Sequence, residues 1–224
     1  MVAPPPVPPA RPPAGDWVLT LLLALTLLPE VVLQLSDAGL LGPRFLRHLV
    51  YMLGAFQPEL HAGPGPFFPG QTMTMFITYG FLHTGVLHLL INAAGLWVLG
   101  RLILIRRRAG TFVLFYITAM VGAAEIFALL GPSGATMVGA SGALFGLFGV
   151  HMADAGAFSP RSAQGAPVPL QAGRLLLVTL ALVTLDILSQ LLLGSPVAWQ
   201  AHAGGFVTGV LMALAAPPHD ALRG

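Results

Sequence analysis

Apolar residues in this chain come in long unbroken runs, not in the stripes of a soluble helix or the alternation of a strand. A bilayer core of about 30 Å needs roughly 20 apolar helical residues. Six runs meet or approach that length: 17–35, 82–102, 111–130, 141–155, 175–193 and 197–216. The pattern predicts an all-α polytopic membrane protein, a bundle of six transmembrane helices. The fourth run is the exception, because its residues would rise only about 22 Å at 1.5 Å each. A helix that starts inside the membrane is tolerated only where protein or a water cavity satisfies its free N–H groups. The start of the fourth helix is therefore expected to be buried in protein or wetted.

The segments between the runs divide the chain. Residues 1–16 hold seven of the twenty prolines and are expected to be a disordered arm, not a cleaved signal. Residues 17–216 form the six-span domain, and 217–224 a short tail. The longest connection, 36–81, carries an apolar piece at 45–56 and a Gly/Pro stretch at 61–70. It is too short and polar to span and is expected to lie partly in the membrane interface.

Composition agrees with the runs. The 224 residues are 56% hydrophobic and 8% charged, too few charges to clothe a water-soluble globule. All ten basic residues are Arg. Spread along the chain, they form no phosphate-binding patch, so nucleic acid is set aside as a partner despite the basic balance. Instead they orient the protein. Arg101, Arg106, Arg107 and Arg108 close the second run, which makes that end cytoplasmic by the positive-inside rule. Alternation then places both termini inside, with only Arg44 and Arg47 outside. Cysteine is absent, which removes disulfides, thiol nucleophiles and Cys-ligated metals together.

Polar groups within spans are costly and mark candidate sites; a lone one more often only locks helices together. Here they are patterned. His88, Asn92 and Gly95 share one face of the second helix; His202, Gly205 and Gly209 form a stripe on the sixth; Gly142, Gly146 and Gly149 do so on the fourth. Small residues so spaced let two helices approach backbone to backbone, which would bring Ser141 near His202. Counting from the span ends, Ser141, His202 and His88 fall at one depth, about a third of the way in from the outer face.

That grouping suits acyl transfer. A serine hydroxyl is a weak nucleophile until a base takes its proton, and His202 is placed to be that base and then the acid. Ser141 opens its helix, where free N–H groups and the positive dipole end favour an oxyanion; His88 and Asn92 side chains can do the same. No HExxH zinc motif is present, and no Asp pair in the context of an aspartyl protease is evident.

Three motifs in this order resemble the rhomboid family of intramembrane serine proteases: His83-x4-His88-x3-Asn92, then Gly139-Ala140-Ser141-Gly142, then Ala201-His202-Ala203-Gly204-Gly205-Phe206-Val207-Thr208-Gly209. The resemblance covers about 72–216. It implies a Ser141–His202 dyad without an acidic third member. The oxyanion hole would hold His88, Asn92 and the Ser141 N–H, with Gly139 just ahead of the nucleophile. The implied bundle has a water-filled cavity open outward, and the implied substrates are single-span membrane proteins, cut in or beside their transmembrane segment. No cofactor and no metal are called for, and a bacterial inner membrane is the expected location. Oligomeric state is not legible. The alternatives are a rhomboid-like pseudoprotease that binds transmembrane helices without cutting, and a small transporter. Thr74 and Met75 stand where many members carry Trp-Arg, Phe145 where some carry Tyr, and Leu104 or Ile105 where a Glu is common.

Glu30, Glu125 and Asp186 are acids within spans. Asp186 is expected to be hydrogen-bonded or neutral rather than a third catalytic member. No role is legible for Glu30 and Glu125, and His83 is expected to cap or bond the outer loop. His48, His61, His151 and His219 are expected at solvated or interfacial positions. Met52, Met73 and Met75 are expected to be adaptable apolar filler. Phe148 is assigned to the core, and Phe145 and Gly142 to the lining of the active site.

Overall fold

A computed structural model describes residues 15–61, 65–155, 173 and 198–216. The described residues form seven α-helices: α1 Asp16–Asp37, α2 Leu46–Gly54, α3 Gln71–Thr78, α4 Val86–Leu104, α5 Ala109–Leu130, α6 Ser141–Asp154 and α7 Trp199–Ala215. Five of the six apolar runs appear among them. The fifth run, with Asp186, lies outside the described residues, as do most of the proline arm and the tail. Three helices, α1, α4 and α5, are long and apolar enough to cross a membrane. The all-helical bundle is thus present, while the count of six spans is not established.

The helices are inside out relative to soluble ones. On α1 the buried stripe is Val18, Leu19, Leu22, Thr26, Glu30 and Leu33, while Trp17, Leu21, Leu25, Leu28 and Val31 are exposed. Thr26, Glu30 and Ser36 therefore face protein while large apolar side chains face outward, as lipid demands. The central helix is α6. It packs against α4, α5 and α7, and eight of its fourteen residues are buried and none exposed.

Glycine sets its distance from α7. A Cβ at Gly205 would overlap the Gly142 carbonyl, one at Gly209 the Gly146 carbonyl, and one at Gly149 the Phe206 carbonyl. Each stripe thus lies on the other helix's backbone, at a separation that any larger residue would open.

Two features depart from the sequence reading. The second span begins at Val86, not at 82, because residues 82–85 are held as a turn: both Arg47 Nη1 (3.0 Å) and Tyr51 Oη (2.5 Å) donate to the His83 carbonyl. The long connection is also more built than expected. Besides α2, over the 45–56 piece, it contains α3, whose three threonines and eight residues leave little periodic signal. Buried Gln71 fastens α3, with Nε2 donating to the Met52 carbonyl (2.7 Å) and Oε1 accepting from Phe67 N–H. Thr78 donates to the Gly54 carbonyl (2.6 Å), and Gln57 to those of Tyr51 and Met52. These bonds anchor the connection where Thr74 and Met75 supply neither a Trp nor an Arg. Met75 is fully buried and Met73 exposed, so the methionines form no cluster.

The other end of the bundle is closed by Arg107, buried and bonded to the Asp154 carboxylate and the Ala216 carbonyl, with Phe115 beneath it at 4.8 Å. Arg106 donates to the Asp154 carbonyl. The α4–α5 turn is thereby tied to the ends of α6 and α7.

Candidate active site

Ser141 is the first residue of α6 and His202 the fourth of α7. Their side chains meet across the glycine seam, with Ser141 Oγ 2.8 Å from His202 Nε2. Phe145, one turn into α6, stacks flat on the His202 imidazole, with ring centroids 4.1 Å apart and planes 5° from parallel. An aromatic face fills the space beneath the ring and restricts its rotation without a hydrogen bond. Gly142 lies below Ser141, where a Cβ would press on Ala123 Cβ and come within 3.3 Å of Tyr79 Oη.

The segment that delivers Ser141 is held at three points. Phe56 and Met137 exchange both backbone hydrogen bonds (2.9 Å each), Ser133 donates to Glu59, and Gly139 N–H donates to the Tyr79 carbonyl (2.9 Å). Gly139 has φ +123°, a region closed to most side chains. A Cβ there would also lie 2.9 Å from His88 Nε2 and 3.8 Å from Ser141 Oγ. The edge of the His88 ring therefore faces the backbone just ahead of Ser141. The first N–H groups of α6 have no carbonyl four residues back within the helix, so they remain available as donors.

Asn92, buried on the next turn of α4, donates through Nδ2 to the His88 carbonyl at 2.9 Å. This uses one of its two amide hydrogens inside α4. The structure thus gathers Ser141, His202, His88 and Gly139, while the Asn92 amide bonds along its own helix. Gly146, Gly205 and Gly209 lie in the seam and touch no reacting group.

The model of the rhomboid domain family matches residues 70–218, more than half of the chain, with Ser141, His202, His88, Asn92 and Gly139 all inside the match. The chain belongs to the rhomboid family. With its apolar helices, that makes it an integral membrane protein. A comparison with curated proteins finds no match.

The rhomboid match begins after a second polar assembly. Glu30, on the buried stripe of α1, accepts from Arg47 Nη1 (2.9 Å) and Nη2 (3.0 Å), and from Gln34. Asp37 accepts from Arg47 Nε at 2.6 Å. Burial works against charge on Arg47, but the bonds to Glu30 and Asp37 outweigh it and raise its pKa. Burial likewise raises the pKa of Tyr51, against the pull of Arg47. Glu30, to which the sequence assigned no role, is thus hydrogen-bonded. Glu125 is exposed on α5, with no hydrogen bond among the described residues.

His83 bonds the outer connection as expected, through its backbone carbonyl; its ring is fully buried, edge-on to His88 with centroids 5.0 Å apart. Tyr79 escaped the sequence reading. It is 1% exposed, donates to the Met120 carbonyl (2.9 Å), and its own carbonyl orients Gly139. Nothing local marks it; only the fold shows that its two ends join α5 to the segment before Ser141.

Proposed function

We propose that this rhomboid is an intramembrane serine endopeptidase working through Ser141 and His202. The observation that carries the reading is the 2.8 Å contact between Ser141 Oγ and His202 Nε2, at the head of a helix with free N–H donors and beside the His88 ring. His202 takes the Ser141 proton as Oγ attacks the scissile carbonyl. The oxyanion is met by the Ser141 N–H and by His88, with Asn92 a turn away. The imidazolium then protonates the leaving amine and an acyl-enzyme remains. Water attacks the ester as His202 takes its proton; collapse returns that proton to Ser141 and releases the carboxyl product.

The substrates are single-span membrane proteins cut in or beside their transmembrane segment. The protein lies in a bacterial inner membrane, both termini cytoplasmic and the Ser141 end outward. The excess of Arg at the opposite end supports that orientation.

Detergent-solubilised protein should be labelled by a fluorescent fluorophosphonate, and Ser141→Ala and His202→Ala should not be. Equal labelling of all three proteins would refute the dyad. A wild type that neither labels nor cleaves would favour the pseudoprotease reading.

A further inference from the structure

If the chain is a protease, its two site histidines need opposite tautomers. To accept the Ser141 proton, His202 Nε2 must carry no hydrogen. To donate to an oxyanion, His88 must carry its hydrogen on Nε2 and leave Nδ1 bare. A neutral imidazole has one N–H, and the partner of one nitrogen decides which is protonated.

For His88 that partner is Thr84. Thr84 Oγ1 lies 3.1 Å from His88 Nδ1, while Cε1 and Nε2 are the ring atoms nearest Gly139. A hydroxyl can donate to Nδ1 or accept from it. Only the first arrangement puts hydrogen on Nε2, the edge that faces Gly139 and Ser141. The second would point a bare lone pair at a developing negative charge. We propose that Thr84 is a positioning residue, whose hydroxyl donates to His88 Nδ1 and so holds the His88 proton on Nε2, toward the oxyanion.

The backbone supports this placement. Thr84 follows the His83 carbonyl that Arg47 and Tyr51 clamp. It precedes the N-cap Gly85 and stands four residues before His88, so its hydroxyl lies over the first turn of α4. The His83 ring, edge-on to His88, limits rotation from another side. Thr84 is exposed, so water competes for Nδ1 and the effect of losing the hydroxyl is modest.

The test uses the full chain in detergent, with a fluorophosphonate as probe. Thr84→Val keeps the shape and removes the hydroxyl; Thr84→Ser restores it. The maximal rate of Ser141 labelling should fall about three- to tenfold in the valine variant and recover in the serine variant. The probe concentration for half-maximal rate and the melting temperature should not move. Nitrogen-15 NMR of labelled histidines, with His88→Asn to assign the signal, should show Nε2–H in wild type and a mixture in Thr84→Val. Wild-type labelling rates in Thr84→Val, or Nδ1–H at His88 in wild type, would overturn the proposal. If wild type fails to label, the protease reading fails by itself, and the tautomer spectrum still decides whether Thr84 sets the proton.

Discussion

The two sides of the candidate site are held by opposite means. Ser141 and His202 stand on α6 and α7, which meet through Gly142, Gly146, Gly205 and Gly209 with backbone against backbone. His88 stands at the start of α4, and its approach is set by a charged assembly: Glu30 on α1, Arg47 and Tyr51 on α2, and the His83 carbonyl between them. The glycine seam has no side-chain freedom to lose and no slack, so it fixes a distance. The polar clamp spans three elements with long side chains, so it fixes a direction at the expense of burying a carboxylate. The proposed dyad, in contact at 2.8 Å, is placed on the first. The proposed oxyanion donor, which needs only its ring oriented, is placed on the second.

The largest effect should come from the seam. Gly205→Val must displace α6 from α7, since even one added carbon overlaps the Gly142 carbonyl. Fluorophosphonate labelling should fall by about a hundredfold or more, with helical circular dichroism retained. Full labelling would show that the seam does not set the dyad distance.

A smaller effect on chemistry, with a large one on stability, should follow at the clamp. The Glu30 side chain is fully buried and Arg47 only 19% exposed. Arg47→Ala strands a carboxylate and should cost about 3 kcal/mol in a detergent unfolding titration. Asp154→Ala, which strands buried Arg107 at the other end, should destabilise comparably yet leave the labelling rate per folded molecule unchanged. Arg47→Ala should lower that rate as well. If the two variants behave alike, the clamp is structural support and does not orient His88.

The smallest effect should come from the ring beneath the dyad. Phe145→Ala removes the stack on His202 and should slow labelling about three- to tenfold. Phe145→Tyr should stay near wild type. No change in the alanine variant would mean that the stack does not orient the imidazole.

The difference between the two sides also explains what could be read in advance. The seam is written locally: glycines at i, i+3 or i+4 on two apolar runs, each with its polar residue at the same depth. Those spacings carried the expected approach of Ser141 to His202. The clamp is written across distance. Glu30, Arg47 and His83 are separated by 17 and 36 positions, and none shares a period with another. Arg47 read only as an orienting charge, Glu30 as an unexplained acid and His83 as a residue that would bond the loop through a partner the sequence did not name. Tyr79 and Thr84 left no mark at all, since each acts through a partner brought by another element or by the turn that the clamp creates.

The sequence by itself determined that the protein is helical and lies in a membrane, that Ser141, His202 and His88 come together, and which two of the described helices pack backbone to backbone. Each follows from the cost of exposing backbone and charge to hydrocarbon, a penalty that every residue meets locally. Only the tertiary structure decided where α4 begins, how the long connection is anchored, and which edge of His88 faces Ser141. These depend on hydrogen bonds between distant segments, whose geometry no spacing along the chain encodes.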